Sequence, residues 1–406
     1  MTGNIHVVFA MDTEGPVTDK NQELLDTWGK LDDAMSKLFD RDYRKKYPDC
    51  DGGGFKISWF MLNWTGFKTN PVQRDFGYHK ILDHYIKQWG SEISLFDDGI
   101  YWHYHHPPEN GIGNEWSTDW TSNVEYFNIL NHMIIDRHYF PSVFRAGGTI
   151  EDNDVSYWLE QWIPFDYSNR SGNINWLKKE ADGRLLKEIL DWSKAPSDWN
   201  YYHPSTNDYQ VPGEMKRYIF NCLDVNSGVH QIKKSEIRFA FERANKGDNV
   251  ILAFFEHDFR DIADHLEELF FKPLFDISME FPDVKWYYNN ANDAAQSILK
   301  THAVNNNPIK FQVTLKDGDK LIIKSNTDLF GPQPYFVTKL IDEQIYKNYP
   351  LHVIGEKCWL HQLEFPNRTQ IFGIASNDKF GNTVVTRYKY ERKKDGNKLI
   401  QLDVRS

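Results

Sequence analysis

The 406-residue sequence has few cysteines and no long apolar run. Its three cysteines, Cys50, Cys222 and Cys358, are widely spaced and form no Cys-x-x-Cys motif, which argues against a disulfide framework and against a cysteine-built zinc site. No run of 18 apolar residues and no signal-peptide pattern is present. We therefore expect reduced thiols, no transmembrane segment and a cytoplasmic location.

Basic residues are also scarce relative to acidic ones. The chain has 47 Lys and Arg against 58 Asp and Glu, a formal net charge of −11, without a basic run. This balance predicts that neither nucleic acid nor an anionic membrane is the partner. Aromatic residues are abundant, with 14 Trp, 21 Tyr and 27 Phe. They favour flat, partly apolar ligands such as sugar rings, although core packing accounts for most of them.

The hydrophobic pattern predicts two domains. Short apolar runs alternate with amphipathic stretches up to residue 303, a pattern typical of β-α units around a largely parallel sheet. The predicted strands cover residues 5–11, 55–62, 100–104, 142–144, 250–255 and 284–288. The main predicted helices cover residues 26–39, 74–89, 123–137, 234–245 and 293–300. Residues 304–406 show short strands at hairpin spacing, which predicts an all-β, Ig-like sandwich as an accessory domain.

Polar residues with catalytic potential lie at the ends of four of the predicted strands. They form the segments Asp12-Thr13-Glu14-Gly15-Pro16, Trp102-His103-Tyr104-His105-His106-Pro107, Arg145-Ala146-Gly147-Gly148 and Phe255-Glu256-His257-Asp258. A catalytic zinc site needs about three protein ligands and one open position for water. Histidines with one carboxylate fit that requirement.

Three histidines within four positions suit a divalent metal. On a strand His103 and His105 point the same way, whereas a turn after Tyr104 would bring His103 and His106 together. The alternative interpretation of this segment is a polar, exposed loop. The sequence leaves open which two of the three are ligands.

The other three segments supply candidates for a base, a positive charge and a general acid. Asp12 and Glu14 are spaced so that one can ligate a metal while the other acts as a base; the alternative is an acidic strand cap. Arg145 is suited to fixing a carboxylate by paired hydrogen bonds. The alternative is an ordinary surface ion pair. His257 can be protonated near neutral pH, as a general acid must be, or can be structural.

In this order, the segments resemble those of the polysaccharide deacetylase superfamily, the NodB-homology carbohydrate esterases, over roughly residues 1–300. The resemblance implies a distorted (β/α) barrel that binds a divalent metal, Zn²⁺ above all. It also implies roles: Asp12 as base, Glu14 and two of the histidines as metal ligands, Arg145 as the orienter of the base and His257 as acid. Asp166 stands where the family keeps an aspartate that tunes the late histidine.

Two departures indicate a divergent branch. Thr13 separates acidic residues that are adjacent in the family, and Pro107 occupies the position four residues after His103. The segment Phe96-Asp97-Asp98-Gly99 copies the family's acidic motif, but it lies only a few residues before His103. We interpret it as a decoy.

The predicted function is metal-dependent hydrolysis of an N-acetyl group on an amino sugar or glycan precursor, in surface polysaccharide biosynthesis. One alternative is hydrolysis of another small amide C–N bond. Another is a carbohydrate-binding or assembly protein that keeps the barrel without turnover. No substrate-binding residue and no oligomeric state is identified.

Overall fold

The computed structural model describes eight segments of the chain. These are residues 2–18, 24–107, 124–171, 192–225, 232–299, 308–341, 345–393 and 396–402. The chain divides into two compact units. The barrel unit comprises Met1–Thr121, Val143–Ser156 and Phe165–His302, and the sandwich unit comprises Ser122–Ser142, Tyr157–Pro164 and Ala303–Ser406.

The barrel unit is built on a closed ring of seven parallel strands. The barrel unit has eight described strands, of which the first seven form the ring. They are β1 (Asn4–Thr13), β2 (Ile57–Asn63), β3 (Gly99–Tyr104), β4 (Val143–Ala146), β5 (Phe165–Asn169), β6 (Tyr218–Asp224), β7 (Val250–His257) and β8 (Lys285–Tyr288). Strands β1 to β7 pair in chain order, and β7 pairs with β1. Strand β8 pairs with the first half of β1, whereas β2 pairs with the second half. The seven-stranded parallel barrel confirms the α/β barrel prediction at this coarse level.

Strands β5 and β6, which close the ring, were not among the predicted strands. The pattern of β5 reads Phe-Asp-Tyr-Ser-Asn, and every one of its residues is buried. Polar residues on both faces hide the alternation that marks a strand with one solvent-exposed face. Burial inside the barrel therefore explains why β5 is a strand, whereas β6 (Tyr-Ile-Phe-Asn-Cys-Leu-Asp) is a largely apolar strand that the sequence prediction missed.

Helices fill most connections between the barrel strands. They are α1 (Trp28–Leu38), α2 (Arg41–Arg44), α3 (Lys80–Leu95), α4 (Val124–Arg137), α5 (Asn153–Glu160), α6 (Lys234–Asn245), α7 (Ala263–Leu266), α8 (Lys272–Ser278) and α9 (Ala291–Ile298). Helix α3 begins at Lys80, six residues after the predicted start at Arg74. No helix in the described segments is both long and apolar enough to cross a membrane.

Alternate strand residues point into the barrel, because successive side chains of a strand face opposite sides. The apolar cluster of the interior consists of Val8, Ala10, Phe60, Tyr101, Val143, Phe165, Tyr167, Phe220, Cys222, Ile251, Ala253, Phe255 and residues of α9. Helix α9 meets this cluster near the start of β2, where the Ala291 N–H donates to Ser58 Oγ at 2.8 Å. Continuing the same alternation towards the strand ends gives Asp12, His103, Arg145 and His257. The carboxyl end of the barrel interior is therefore polar.

The sandwich unit contains two antiparallel sheets. Its strands are β9 (Phe311–Lys316), β10 (Lys320–Ser325), β11 (Tyr335–Leu340), β12 (Tyr346–Asn348), β13 (His352–Gly355), β14 (Cys358–Gln362), β15 (Thr369–Asn377), β16 (Thr383–Glu391) and β17 (Lys398–Gln401). The sheet orders are β13-β14-β10-β9 and β12-β11-β15-β16-β17. Both sheets contribute to one core, for example Ile323 and Trp359 from the first and Phe372 from the second. This architecture confirms the predicted sandwich, whereas its Ig-like character stays a prediction.

Helix α4 groups with the sandwich unit, although the sequence places it within residues 1–303. It packs against the five-stranded sheet, where the Tyr335 hydroxyl donates to Asn131 Oδ1 at 2.8 Å. A Cβ at Gly373 of β15 would lie 2.5 Å from Ile134 Cγ2. The absence of a side chain at Gly373 therefore permits this close approach. Packing, and not position in the chain, decides to which unit α4 belongs.

The decoy segment lies at the start of β3, at the opposite end of the strand from His103. Asp98 accepts two hydrogen bonds from the buried Arg44 guanidinium, at 2.7 and 2.9 Å. It also accepts the Ile57 N–H at 2.8 Å and Trp59 Nε1 at 2.9 Å. The neighbouring Asp97 is 70% exposed and pairs with Lys56. Asp98 is therefore a structural anion.

We expect Asp98→Asn to destabilise the protein by about 3–5 kcal/mol, because it leaves the buried Arg44 charge without a counter-ion. The matched variant Asp97→Asn removes an exposed ion pair and should change the free energy of unfolding by less than about 1 kcal/mol. Urea unfolding of both variants measures the difference. Equal effects at the two positions would contradict this account of Asp98.

A second prediction concerns His361 of β14, whose ring lies 4.5 Å from Phe336 and 4.8 Å from Tyr349, centroid to centroid. Burial lowers the pKa of His361 from 6.5 to about 4. Stability from this neutral, buried ring is fully present above pH 6.5 and is lost as the pH falls towards 4. We expect His361→Leu to reduce the loss of unfolding free energy between pH 7 and pH 5 by on the order of 1–2 kcal/mol.

Urea unfolding at both pH values measures that loss. The control is His265→Gln on helix α7, where the histidine is exposed. The control should keep the acid sensitivity of the wild type. If His361→Leu kept the wild-type acid sensitivity as well, burial of the His361 imidazole would not be the source of that sensitivity.

Candidate metal centre

The predicted site residues come together at the carboxyl end of the barrel. Asp12 and Glu14 follow from β1, His103 and His105 from β3, Arg145 from β4 and His257 from β7. Parallel strands bring their carboxyl ends to one rim, so residues that are distant in sequence meet there. The described contacts join all six residues into one network.

Asp12 is held by Arg145. Arg145 Nε donates to Asp12 Oδ1 at 2.8 Å, and its Nη1 donates to the Tyr167 carbonyl at 2.6 Å. The guanidinium is fully buried and lies 3.8 Å from the centroid of the Phe255 ring. Charge pairing and the aromatic face together compensate the burial of the guanidinium. This Asp12–Arg145 pair is the one that the motif resemblance implies for a base and the arginine that orients it.

Thr13, the residue that departs from the family pattern, faces away from this network. Its hydroxyl donates to the Met11 carbonyl at 2.9 Å within β1, and the side chain is buried. The i and i+2 spacing of Asp12 and Glu14 therefore brings both carboxylates into the site. The inserted threonine changes the motif without removing either carboxylate.

Glu14, His103 and His105 form a group able to hold a metal ion. One ligand atom from each lies within 4.8 Å of the others. Glu14 Oε1 is 3.5 Å from His103 Nε2 and 3.2 Å from His105 Nε2. Tetrahedral ligands at zinc distances of about 2.1 Å are separated by about 3.4 Å. The two separations from Glu14 therefore match those expected between ligands of such an ion.

The orientation of His103 supports the same use. Its Nδ1 lies 2.9 Å from the carbonyl oxygen of Arg145, so Nδ1 carries the proton and Nε2 presents a lone pair. Nε2 is buried and has no hydrogen-bond partner among the described residues. Metal-ligating histidines characteristically donate their second ring nitrogen to such an acceptor. The unsatisfied nitrogen points to an ion as its partner.

The electrostatics keep Glu14 and His105 in the protonation states that bind metals. Burial acts to raise the pKa of Glu14, but Arg74, His103 and His105 outweigh it and hold that pKa well below its usual range. Burial lowers the pKa of His105 despite the opposing charge of Glu14. Its ring stacks on Trp64 with a centroid distance of 5.2 Å. An ionised carboxylate and neutral imidazoles are the ligand forms.

His106 is outside this group. Its ring is buried and packs edge-on against Tyr104, with centroids 6.0 Å apart. His103 and His105 are two residues apart and share the inward face, whereas His106 is on the other parity. Among the three candidate histidines, the geometry therefore selects His103 and His105.

His257 lies next to the group formed by Glu14, His103 and His105. Its Nε2 is 3.8 Å from Glu14 Oε1 and 3.9 Å from Asp12 Oδ2. Burial acts to lower the pKa of His257, but Glu256, Glu14 and Asp12 outweigh it and raise that pKa. The side chain is 19% exposed, so it can reach both solvent and the carboxylates. The neighbouring carboxylates therefore favour the protonated form of the His257 imidazole.

Asp166 was expected to tune His257, but its described contacts lie elsewhere. Its carboxylate accepts the Ser168 N–H at 2.7 Å and pairs with Arg217 at 2.8 Å. Asp166 has the opposite parity from the inward-facing Phe165 and Tyr167, so it faces outwards from the barrel. On the Nδ1 side of the His257 ring lies the carboxylate of Glu256, whose Oε1 is 3.6 Å from Nδ1.

Sequence reasoning missed three residues of the site. Arg74 pairs with Glu14 and lies over Trp64, with the guanidinium carbon 5.0 Å from the ring centroid. Asp258 and Tyr85 hold the backbone that carries Glu14. Asp258 is the last residue of the segment that contains His257, which was a usable signal. Arg74 and Tyr85 carry no motif, because only the fold brings them to β1.

Comparisons with known proteins do not assign a family. No protein-family model matches the chain. Protein Ycf2 of Angiopteris evecta is 25% identical over 101 residues, which are 22% of this chain. The chain spans only 4% of the length of that curated relative.

Among solved structures, the chain is similar to a GH29 α-L-fucosidase from Bacteroides thetaiotaomicron, with 11% identity, a TM-score of 0.27 and coverage of 91% of this chain and 92% of that chain. A bacterial fucosidase with a bound inhibitor matches with 11% identity, a TM-score of 0.27 and coverage of 92% of each chain. Likeness at this level carries no argument about fold or chemistry.

The ligand assignment predicts which substitutions remove metal. We expect Glu14→Gln, His103→Asn and His105→Asn each to weaken Zn²⁺ binding by more than about 100-fold, because each removes one of three protein ligands. His106→Gln is the matched control and should bind Zn²⁺ as the wild type does. Elemental analysis and competition with a chromophoric chelator measure both. Loss of Zn²⁺ in His106→Gln alone would reverse the assignment.

Proposed function

We propose that the protein is a metal-dependent N-deacetylase that acts on an amino sugar or a glycan precursor. The observation that carries the proposal is the juxtaposition of a Glu14-His103-His105 donor group with an Asp12–Arg145 pair and with His257. Such a hydrolysis requires three functions: an electrophilic centre, a base and an acid. The network has one candidate for each.

Glu14, His103 and His105 would hold the divalent ion, with Zn²⁺ as the proposed identity. Two imidazoles and one carboxylate form a donor set that zinc uses in hydrolases. A bound ion of this kind supplies Lewis acidity, which polarises an acyl carbonyl and lowers the pKa of a water molecule. His103 contributes a fixed lone pair, because its other nitrogen is bound to the Arg145 carbonyl.

Asp12 is the proposed base. It is 3% exposed and its Oδ1 accepts from Arg145, which fixes the direction of the carboxylate. Its Oδ2 lies on the side of His257. An oriented carboxylate can accept the proton of an attacking water without reorganising during the step.

His257 is the proposed acid. Glu256, Glu14 and Asp12 raise its pKa and so favour the protonated imidazole, which is the form that can protonate a departing amine. Protonation of the amine matters because an amide nitrogen leaves poorly as an anion. This pairing of base and acid favours an amide over an ester substrate. The acetyl group, the sugar and a role in surface polysaccharide biosynthesis rest on the resemblance of the motifs.

The test is acetate release from N-acetylglucosamine oligomers by the zinc- or cobalt-loaded protein. We expect Asp12→Asn and His257→Gln to lower kcat by about 10²–10⁴-fold, because each removes a proton-transfer group. Both variants should retain the metal. His132→Gln, on helix α4 of the sandwich unit, is the control and should keep wild-type activity.

Metal-loaded wild type without acetate release would contradict the N-deacetylase proposal. Release of ammonia or amine from other small amides would then identify an amidohydrolase with the same centre. Binding of the oligomers without any hydrolysis would identify a carbohydrate-binding protein.

A further inference from the structure

One buried carboxylate, Asp258, contacts the backbone of the proposed site on both sides of Thr13. Its Oδ1 accepts the Glu14 N–H at 2.8 Å, and its Oδ2 accepts the Gly15 N–H at 3.0 Å. Its own backbone N–H donates to the Asp12 carbonyl at 3.3 Å. Asp258 is thus bound to the backbone of both carboxylate residues of the site.

A buried tyrosine fixes Asp258 in turn. The hydroxyl of Tyr85, on α3, donates to Asp258 Oδ2 at 2.8 Å, and neither side chain is exposed. The two carboxylate oxygens therefore accept three described hydrogen bonds. A buried carboxylate with several such donors has a single favourable orientation.

The turn after β1 depends on this contact. Gly15 has φ of +70°, a left-handed conformation that favours glycine, and a Cβ there would lie 3.1 Å from the Trp28 ring. The N–H groups of Glu14 and Gly15 point into the protein, where they need an acceptor. Asp258 supplies it, so the direction in which the Glu14 side chain leaves the backbone is set by Asp258.

We propose that Asp258 is a positioning residue for the metal centre, which holds Glu14 at the separation from His103 and His105 that an ion requires. This inference rests on the proposed function insofar as Glu14 is a metal ligand. Residues that orient metal ligands typically change metal affinity by about 10–100-fold when they are replaced. Asp258 is not required to touch substrate.

The experiment compares two variants at the site with two matched variants at the other end of the barrel. Asp258→Asn keeps the shape but replaces one acceptor oxygen by an amide nitrogen, and Tyr85→Phe removes one hydroxyl without changing charge. Asp98→Asn and Tyr101→Phe are the controls, since Asp98 is a buried anion and the buried Tyr101 hydroxyl donates to Asn290 Oδ1 at 2.8 Å. Zn²⁺ affinity, the absorption spectrum of the Co²⁺ form and urea unfolding of the metal-free protein are measured for each.

We expect Asp258→Asn to weaken Zn²⁺ binding by about 10–100-fold and to alter the Co²⁺ spectrum, with a smaller loss of affinity in Tyr85→Phe. The controls should be less stable but should bind Zn²⁺ as the wild type does. Wild-type affinity and spectrum in Asp258→Asn would overturn the inference. So would losses of affinity that merely follow stability in all four variants. If Asp258→Asn does not fold, Tyr85→Phe against Tyr101→Phe decides.

The same measurements separate this inference from the proposed function. A wild type that binds no Zn²⁺ would overturn both. Zn²⁺ binding that depends on Asp258, together with no acetate release, would support the positioning role and contradict the deacetylase proposal.

Discussion

A closed barrel of parallel strands has one interior, and every strand must send alternate side chains into it. In this protein the interior is apolar along most of its length and polar at the carboxyl ends of the strands. Strand β1 matters most, because it pairs with β7 along one edge and with β2 and β8 along the other. Asp12 to Gly15, at and just beyond its carboxyl end, are therefore placed by β1 and by the strands β2 and β7 that pair with that end. The candidate metal site depends on that placement.

The buried carboxylates of the site also require charge compensation. Burying a carboxylate costs free energy unless a counter-charge or hydrogen-bond donors accompany it. Asp12 is paired with Arg145, Glu14 with Arg74, and Asp258 with two backbone N–H groups and a hydroxyl. Each partner also orients the carboxylate it neutralises. Stability and preorganisation thus come from the same contacts, which is why positioning residues here are buried and charged.

The proposed chemistry and the positioning role of Asp258 depend on neighbouring residues at the carboxyl end of β7. Asp258 follows His257 directly, so the residue that anchors Glu14 belongs to the same strand end as the proposed acid. The sandwich unit has its own core, and its assignment as an accessory domain stays a prediction. The same holds for the cytoplasmic location, the glycan partner and the assignment to the deacetylase superfamily.

The sequence by itself determined the alternating β-α pattern, the sandwich after residue 304 and the four site segments, because local periodicity and clustered polar residues are properties of short stretches. Only the tertiary structure decided that β5 and β6 close the ring and that α4 packs in the sandwich unit, since both depend on burial between distant segments. It also selected His105 over His106, moved Asp166 out of the site, and brought in Arg74, Asp258 and Tyr85. Strand parity and contacts between strand ends decide such positions, and neither is fixed until the barrel closes.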